Sequence, residues 1–240
     1  MSGEQLAGQT VLVIGGSSGI GWATARRARG KGADIILTAR NADRLHAAGL
    51  ELGARIAAFD VADFERLTGF FAELPDSIDH LLVSGSGPHY VPFAQLDATT
   101  VRRGVERIVL SVEVAIAAKD ALRPTGSLLL IGGTAGRRPT AGPLLSAVTA
   151  AMPALTRSLA VELAPVRVNL IAPGFVDTPL SAEILGDGLE ARRNELRALL
   201  PIRRVVSAED VAELAVDLML NTAVTGATFD VDGGQQLVDA

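Results

Sequence analysis

Apolar residues along the chain fall into two rhythms. Short, mostly apolar segments at 11–14, 34–38, 55–59, 78–83, 127–131, 166–171 and 228–231 have the length and branching of buried strands. Between them, apolar positions recur at helical spacing. Such stretches cover residues 20–30, a segment opened by Asn41 as N-cap, and a segment from Asp63 through Phe64, Leu67, Phe70 and Phe71 that Pro75 closes. Two longer ones run over 98–122 and 144–164. The first has Asp97 or Thr99 as cap and Arg123-Pro124-Thr125-Gly126 as its end, so it is expected to be a single helix. Residues 181–200 are charged and amphipathic, which suits a helical flap over a pocket. Ser207, with Asp210 at the third helical position, marks the start of a helix through 211–220. Strands alternating with helices predict an α/β fold with a seven-stranded parallel sheet, in one domain spanning residues 1–240. No linker, low-complexity tract or internal repeat breaks the pattern.

The first strand runs into a glycine-rich turn that opens a helix. Gly15, Ser17, Ser18, Gly19, Ile20 and Gly21 hold more small residues than a tight turn needs. A helix N-terminus offers unpaired N–H groups and the positive end of its dipole, and a turn without side chains lets a phosphate reach them. The turn is therefore read as a nucleotide-binding site. The second strand ends at Ala39 and Arg40. At this place an acidic residue would bond a ribose 2′-hydroxyl, whereas an arginine accommodates a 2′-phosphate, so NADP(H) is favoured over NAD(H). The other reading of Arg40 is a solvated residue opening the next helix.

Composition narrows the partners. A chain of 240 residues is long enough for one α/β domain with a sizeable core. With 48% hydrophobic residues and a mean hydropathy of +0.33, it still shows no apolar run approaching the roughly 18 residues that cross a bilayer. The N-terminal segment has no basic patch followed by an apolar core, so a soluble, cytoplasmic protein is expected. A net charge of -5 and arginines scattered among carboxylates exclude the footprint of a nucleic-acid binder. There is no cysteine, and His46, His80 and His89 lie far apart, so no metal site is expected. Small molecules are the expected partners.

Taken together, these motifs resemble the short-chain dehydrogenase/reductase family over nearly the whole chain. Gly15, Gly19, Ile20 and Gly21 match its G-x-x-x-G-I-G turn, Asp60-Val61 its adenine contact, and Pro173-Gly174 with Val176 and Thr178 its loop beside the nicotinamide. Residues 158–164, Arg167-Val168-Asn169 and Asp232-Gly233-Gly234 fit its scaffold. The resemblance implies a Rossmann-type doubly wound sheet. It also implies a homo-oligomer, dimer or tetramer, assembled through the helices at 98–122 and 144–164. Ser84-Gly85-Ser86-Gly87 stands where the family has N-N-A-G, so Ser84 and Gly85 join the expected cofactor contacts. Members that use NADP often carry a basic residue at the place of Ser18, which leaves Arg40 as the main argument for the phosphate.

The family's Asn, Ser, Tyr and Lys chemistry has no counterpart where the resemblance would place it. The Tyr-x-x-x-Lys pair falls on Leu145 and Thr149, the serine on Gly132 or Gly133, and the asparagine within residues 108–110. The only lysines are Lys31 and Lys119, and Ala94 follows the sole tyrosine by four. Pro153 lies inside the helix that would carry the pair and frees the carbonyl of Thr149. No catalytic residue is assigned. Tyr90 is the candidate proton donor, with His89, Ser146 and Thr149 beside it, although a loop tyrosine or histidine also serves as packing. Two functions stay open: an NADP(H)-dependent oxidoreductase of a small carbonyl or alcohol with a non-standard active site, or a catalytically silent NADP-binding protein acting as cofactor sensor or partner subunit.

Overall fold

The computed structural model describes residues 5–74, 77–84, 87, 91–138 and 141–238. Its strands are β1 (Thr10–Ile14), β2 (Asp34–Ala39), β3 (Arg55–Ala58), β4 (Ile78–Val83), β5 (Leu122–Ile131), β6 (Arg167–Pro173), β7 (Val176–Asp177), β8 (Val206–Ser207) and β9 (Thr228–Val231). Seven of them form one parallel sheet in the order β3-β2-β1-β4-β5-β6-β9, while β7 and β8 pair separately. The helices are α1 (Gly19–Arg29), α2 (Ala42–Leu52), α3 (Phe64–Ala72), α4 (Ala98–Gly104), α5 (Glu106–Ala118), α6 (Pro143–Glu162), α7 (Pro179–Leu185), α8 (Leu189–Leu199) and α9 (Ala208–Leu220). This is the Rossmann-type doubly wound architecture that the alternation predicted.

Strand periodicity divides the core. Val11, Val13, Ile35, Leu37, Leu82, Leu129 and Ile171 face one way, against Ala25 and Ala28 of α1, Leu45 and Ala48 of α2, and Val211 and Ala215 of α9. Their alternates Leu12, Ile14, Ile36, Leu81, Val83, Leu128 and Leu130 face Leu67 and Phe70 of α3, Val114 and Ala118 of α5, and Met152 of α6. Both faces are covered, which is why the strands read as continuous apolar runs.

Near the amino ends of the central strands, a polar row crosses the sheet. His80, Ser127 and Arg167 are register partners on β4, β5 and β6. The imidazole, 3% exposed, is 2.8 Å from Ser127 Oγ through Nδ1 and 2.8 Å from Gln9 Oε1 through Nε2. Burial, aided by the charge of Arg167, lowers its pKa from 6.5 to about 4. Arg167 itself donates 2.8 Å hydrogen bonds from Nη1 to Leu218 O and from Nη2 to Met219 O, holding the last turn of α9 to the sheet.

Three expectations change. The single helix over 98–122 is two, α4 and α5, and β5 begins at Leu122 because Leu122 pairs with Ile78 across an irregular register. At the break, a side chain on Gly104 would run into Leu144 of α6, whose Cγ lies 2.8 Å from the position of such a Cβ. The flap over 181–200 is also two helices, α7 and α8, joined by a 3-10 turn at Gly186–Gly188. Third, α6 is long and apolar enough by length and composition to cross a membrane, despite the absence of a long unbroken apolar run. Val148, Met152, Thr156 and Leu159 turn one of its faces inward, and Pro153 does not interrupt it. Of the two caps offered for α4, Asp97 is used, in a reciprocal pair with Thr100.

Candidate functional site

A cleft of about 1710 Å³ runs along the carboxyl ends of the strands, where the strand order reverses between β1 and β4. It is lined by Gly15, Ser17, Ser18, Gly19, Ile20, Arg40, Asp60, Val61, Ser84, Pro173, Gly174, Val176 and Thr178. The cofactor-contact residues expected from sequence therefore line one cavity, apart from Gly85; Gly85, His89 and Tyr90 lie outside the described residues, and Ser146 is not among the lining side chains.

The backbone builds this cleft from its strand ends. The amides of Gly15 and Gly16 donate to Thr38 O at 2.9 and 3.1 Å, and Ser84 N donates to Ile14 O at 2.9 Å, which ties the glycine turn to β2 and β4. The turn admits no side chain at its tightest point: a Cβ on Gly21 would collide with the Gly15 carbonyl, whose carbon lies 2.9 Å away. Ser18, the N-cap of α1, makes no side-chain capping bond, and the first turn of α1 carries no acid. By contrast Asn41, Asp63, Asp97, Thr178 and Ser207 each cap their helices. The N-terminus of α1 thus opens on the cleft uncapped, across a surface with few side chains. Such a surface fits an anionic phosphate.

Two arginines stand at this end, beside the Asp60 carboxylate. Arg40 and, one turn into α2, Arg44 both line the cleft, and among the described residues neither pairs with a carboxylate. Asp60 contributes its carboxylate to its own turn, accepting from Ala62 N at 3.1 Å. Arg44 was not foreseen. Its signal was its spacing, four residues after Arg40 on the face that α2 turns to the same strand end.

The rest of the cleft is lined by a mixture of apolar and charged side chains, Glu106, Glu113, Glu183 and Arg192 among the latter. Leu145, Phe175, Leu180, Ile184 and Leu185 line it together with Gly132, Gly133, Thr134 and Thr149. Thr149 is 4% exposed, and its hydroxyl donates to Leu145 O at 2.8 Å, so its proton is spent inside α6. Among the described residues Ser146 Oγ has long contacts, 3.5 Å to Ala135 O and Arg138 O. No tyrosine, lysine, histidine or cysteine is among the described lining residues. Arg107, in the first turn of α5, is there instead. Its Nη1 donates to Ile131 O at 3.2 Å and Gly132 O at 2.8 Å, at the carboxyl end of β5. Sequence reasoning passed over it, although it is the sole basic residue of an otherwise largely apolar helix.

The far wall is a braced excursion. The chain leaves the body at β7 and returns at β8, which pairs with it. Arg193 of α8 forks onto Asp177 at 2.9 and 2.7 Å, and Arg204 forks onto Asp210 at 2.5 and 2.7 Å. The hydrogen bond with Arg204 is the main reason the Asp210 carboxyl falls to about 2. Leu180 of α7 reaches across to Gly87, where a Cβ would lie 3.0 Å from Leu180 Cδ2. The C-terminal turn is fixed by Asp232, which accepts from Gly234 N and Gln236 N, and by Arg138, which donates to Gln235 O and Val238 O.

Comparison with known proteins gives a consistent picture. A family model described as enoyl-(acyl carrier protein) reductase matches residues 14–236. The chain is 34% identical to a cis-4-hydroxycyclohexanecarboxylate dehydrogenase of Sinomonas cyclohexanicum, over 98% of this chain and all of that one. Among solved structures it is similar to the MalC reductase/Diels-Alderase of Malbranchea aurantiaca, with a TM-score of 0.90 and 28% identity over 99% of this chain and 100% of that one. It is also similar to BdcA in complex with NADPH, with a TM-score of 0.84 and 28% identity over 95% of each chain.

Proposed function

The chain belongs to the short-chain dehydrogenase/reductase family, and on that premise we propose that it binds NADP(H) and acts as an oxidoreductase with a non-standard active site. The observation that carries this reading is the convergence of the described cofactor-contact set, from Gly15 to Thr178, on a single cleft. The NADPH-bound relative supports it. In this reading the uncapped α1 N-terminus and the turn at Gly15 to Ile20 hold the pyrophosphate, and Asp60-Val61 and Ser84 border the adenosine. Arg40 and Arg44 take the 2′-phosphate, while Pro173, Gly174, Val176 and Thr178 seat the nicotinamide. The bound dinucleotide supplies hydride chemistry, and the protein orients a small carbonyl or alcohol and keeps water out beneath α7. Leu145 and Thr149, where the family's tyrosine and lysine would stand, leave the protein without the usual proton donor.

Direct titration with NADPH and NADH, for the wild type and for Arg40→Met/Arg44→Met, tests the cofactor. NADPH is expected to bind more tightly than NADH, and the double variant to lose about tenfold or more for NADPH while keeping its NADH affinity. Binding of neither dinucleotide would refute the reading. The spent hydroxyl of Thr149 favours a second reading, a catalytically silent NADP-binding protein. Tight NADPH binding with no NADPH oxidation over a panel of aldehydes, ketones and imines would establish that one.

A symmetric oligomer is the proposed assembly. Val101 on α4, Val105 at the junction, Val109 and Ile116 on α5, and Val161 on α6 are exposed apolar side chains that a second copy would cover.

A further inference from the structure

We propose that Gln235 is the positioning residue for the nicotinamide end of the cleft: its side-chain oxygen continues the sheet ladder past the point where β9 turns away, and so sets where the loop at 173–178 stands. The inference rests on the cofactor reading above for what that loop seats, while the tie itself is drawn from this chain's own hydrogen bonds.

The ladder between β6 and β9 closes with Pro173 beside Val231, and Gly174 N still donates to Val231 O at 3.1 Å. One residue further the ladder stops, because β9 ends at Val231 and the chain folds into the turn at 232–237. An amide left unpaired in a half-buried wall is costly, and Phe175 N is the next in line. It donates to Gln235 Oε1 at 2.9 Å. A side-chain carbonyl thus stands in for the main-chain carbonyl that the turn carries away. Gln235 offers this oxygen from a fixed base. Its own N donates to Asp232 O at 3.1 Å, and its O accepts from Arg138 Nη2 at 2.6 Å. The buried Asp232 carboxylate accepts from Gly234 N at 2.8 Å and Gln236 N at 3.0 Å, which fixes the turn on either side. The loop rests directly on that turn: a Cβ on Gly174 would lie 2.5 Å from Gln235 Oε1 and 2.7 Å from Asp232 Cβ. Gln235 lines the cleft together with Pro173, Gly174 and Phe175. A bound ring serves hydride transfer only when its supports hold it to within about 0.5 Å, and a loop tied at Phe175 meets that demand where a free one does not. Among the described residues Gln235 makes no hydrogen bond to the turn at 15–20 or to Arg40, so the tie acts on the nicotinamide half of the cleft and not on the adenosine half.

NADPH and adenosine 2′,5′-bisphosphate, which keeps the 2′-phosphate and lacks the nicotinamide, are the probes, titrated calorimetrically into the wild type, Gln235→Leu and Gln235→Glu. The leucine keeps the bulk and removes the acceptor, whereas the glutamate keeps an acceptor oxygen at the same reach. Gln235→Leu is expected to bind NADPH about three- to tenfold more weakly while binding the bisphosphate as the wild type does, and Gln235→Glu to recover most of the loss. Hydrogen exchange on the free proteins reads the tie without any cofactor: residues 174–178 should exchange faster in Gln235→Leu, with β1 unchanged. Unchanged exchange at 174–178, or equal NADPH affinity in Gln235→Leu and wild type, overturns the proposal and leaves the cofactor reading standing. A parallel loss for both probes also overturns it, since a general loss of structure and not a loop out of place would then be the cause. A wild type that binds neither probe refutes the cofactor reading and this role with it.

Discussion

Acidification tests the burial of His80 directly. The imidazole is a base whose pKa falls to about 4 on folding, below its ordinary 6.5, so the unfolded chain takes up the proton first. The stability associated with the neutral ring is intact above pH 6.5 and is lost as pH falls through 6.5 toward 4. Protonating the ring in place would put a cation on the same row of the sheet as Arg167, with only neutral partners, Ser127 and Gln9, at its two nitrogens. Linkage over that window gives a loss of about 2 kcal/mol between pH 7 and pH 5, reaching about 3 kcal/mol at pH 4. Asp210 lies outside the window. Its carboxyl is depressed to about 2, so the stability it contributes is lost only as pH falls from the ordinary carboxylate range toward 2. Urea unfolding at fixed protein concentration, followed by circular dichroism at pH 7 and pH 5, should show the loss in the wild type. His80→Gln should be less stable at pH 7 but lack about 2 kcal/mol of the pH dependence. An unchanged pH dependence in His80→Gln, or a ring titration near 6.5 by NMR, would refute the reasoning.

Two further outcomes are expected. Sedimentation at micromolar concentration should show a dimer or larger species that Val161→Glu shifts toward monomer; a wild-type monomer would remove the case for the apolar surface on α4, α5 and α6. Asp177→Asn breaks the fork that holds α8, and because the pair is about one-third exposed the cost to global stability should stay within about 1 kcal/mol. Hydrogen exchange should nonetheless accelerate across residues 189–199 and not in β1 or β4, and uniform protection across both regions would show that the fork does not brace the wall.

Much of this was legible because a doubly covered parallel sheet writes itself plainly. Val11–Ile14 is an unbroken apolar run, and Asp34–Thr38 and Ile78–Val83 are mostly apolar, since both of their faces meet helices, and the capping pair of Ser207 and Asp210 is a local signal that needs no tertiary information. The glycine turn was legible for the same reason, since its geometry is set within seven residues, from Gly15 to Gly21. What escaped was decided at a distance. The break between α4 and α5 leaves the apolar rhythm intact, and the close approach beside it is to Leu144, forty residues after Gly104. The β7–β8 ribbon has two residues on each side, too few for any periodicity. Arg107 escaped notice because two of its partners, the carbonyls of Ile131 and Gly132, stand at the end of a strand that sequence alone does not place beside it. Tyr90, His89 and Gly85 lie outside the described residues.

The pairing of β7 with β8 gives the far wall a property of its own. Residues 178–205 depart from and rejoin the body through two strands lying side by side, each exit fastened by an arginine fork. Because closing a longer segment between neighbouring ends adds only a small entropic cost, that stretch can change length and character without disturbing the strands that support it. It behaves as a cassette. Residues 179–205 can therefore be exchanged for those of a relative as a single piece while the strand ends that build the rest of the cleft stay as they are.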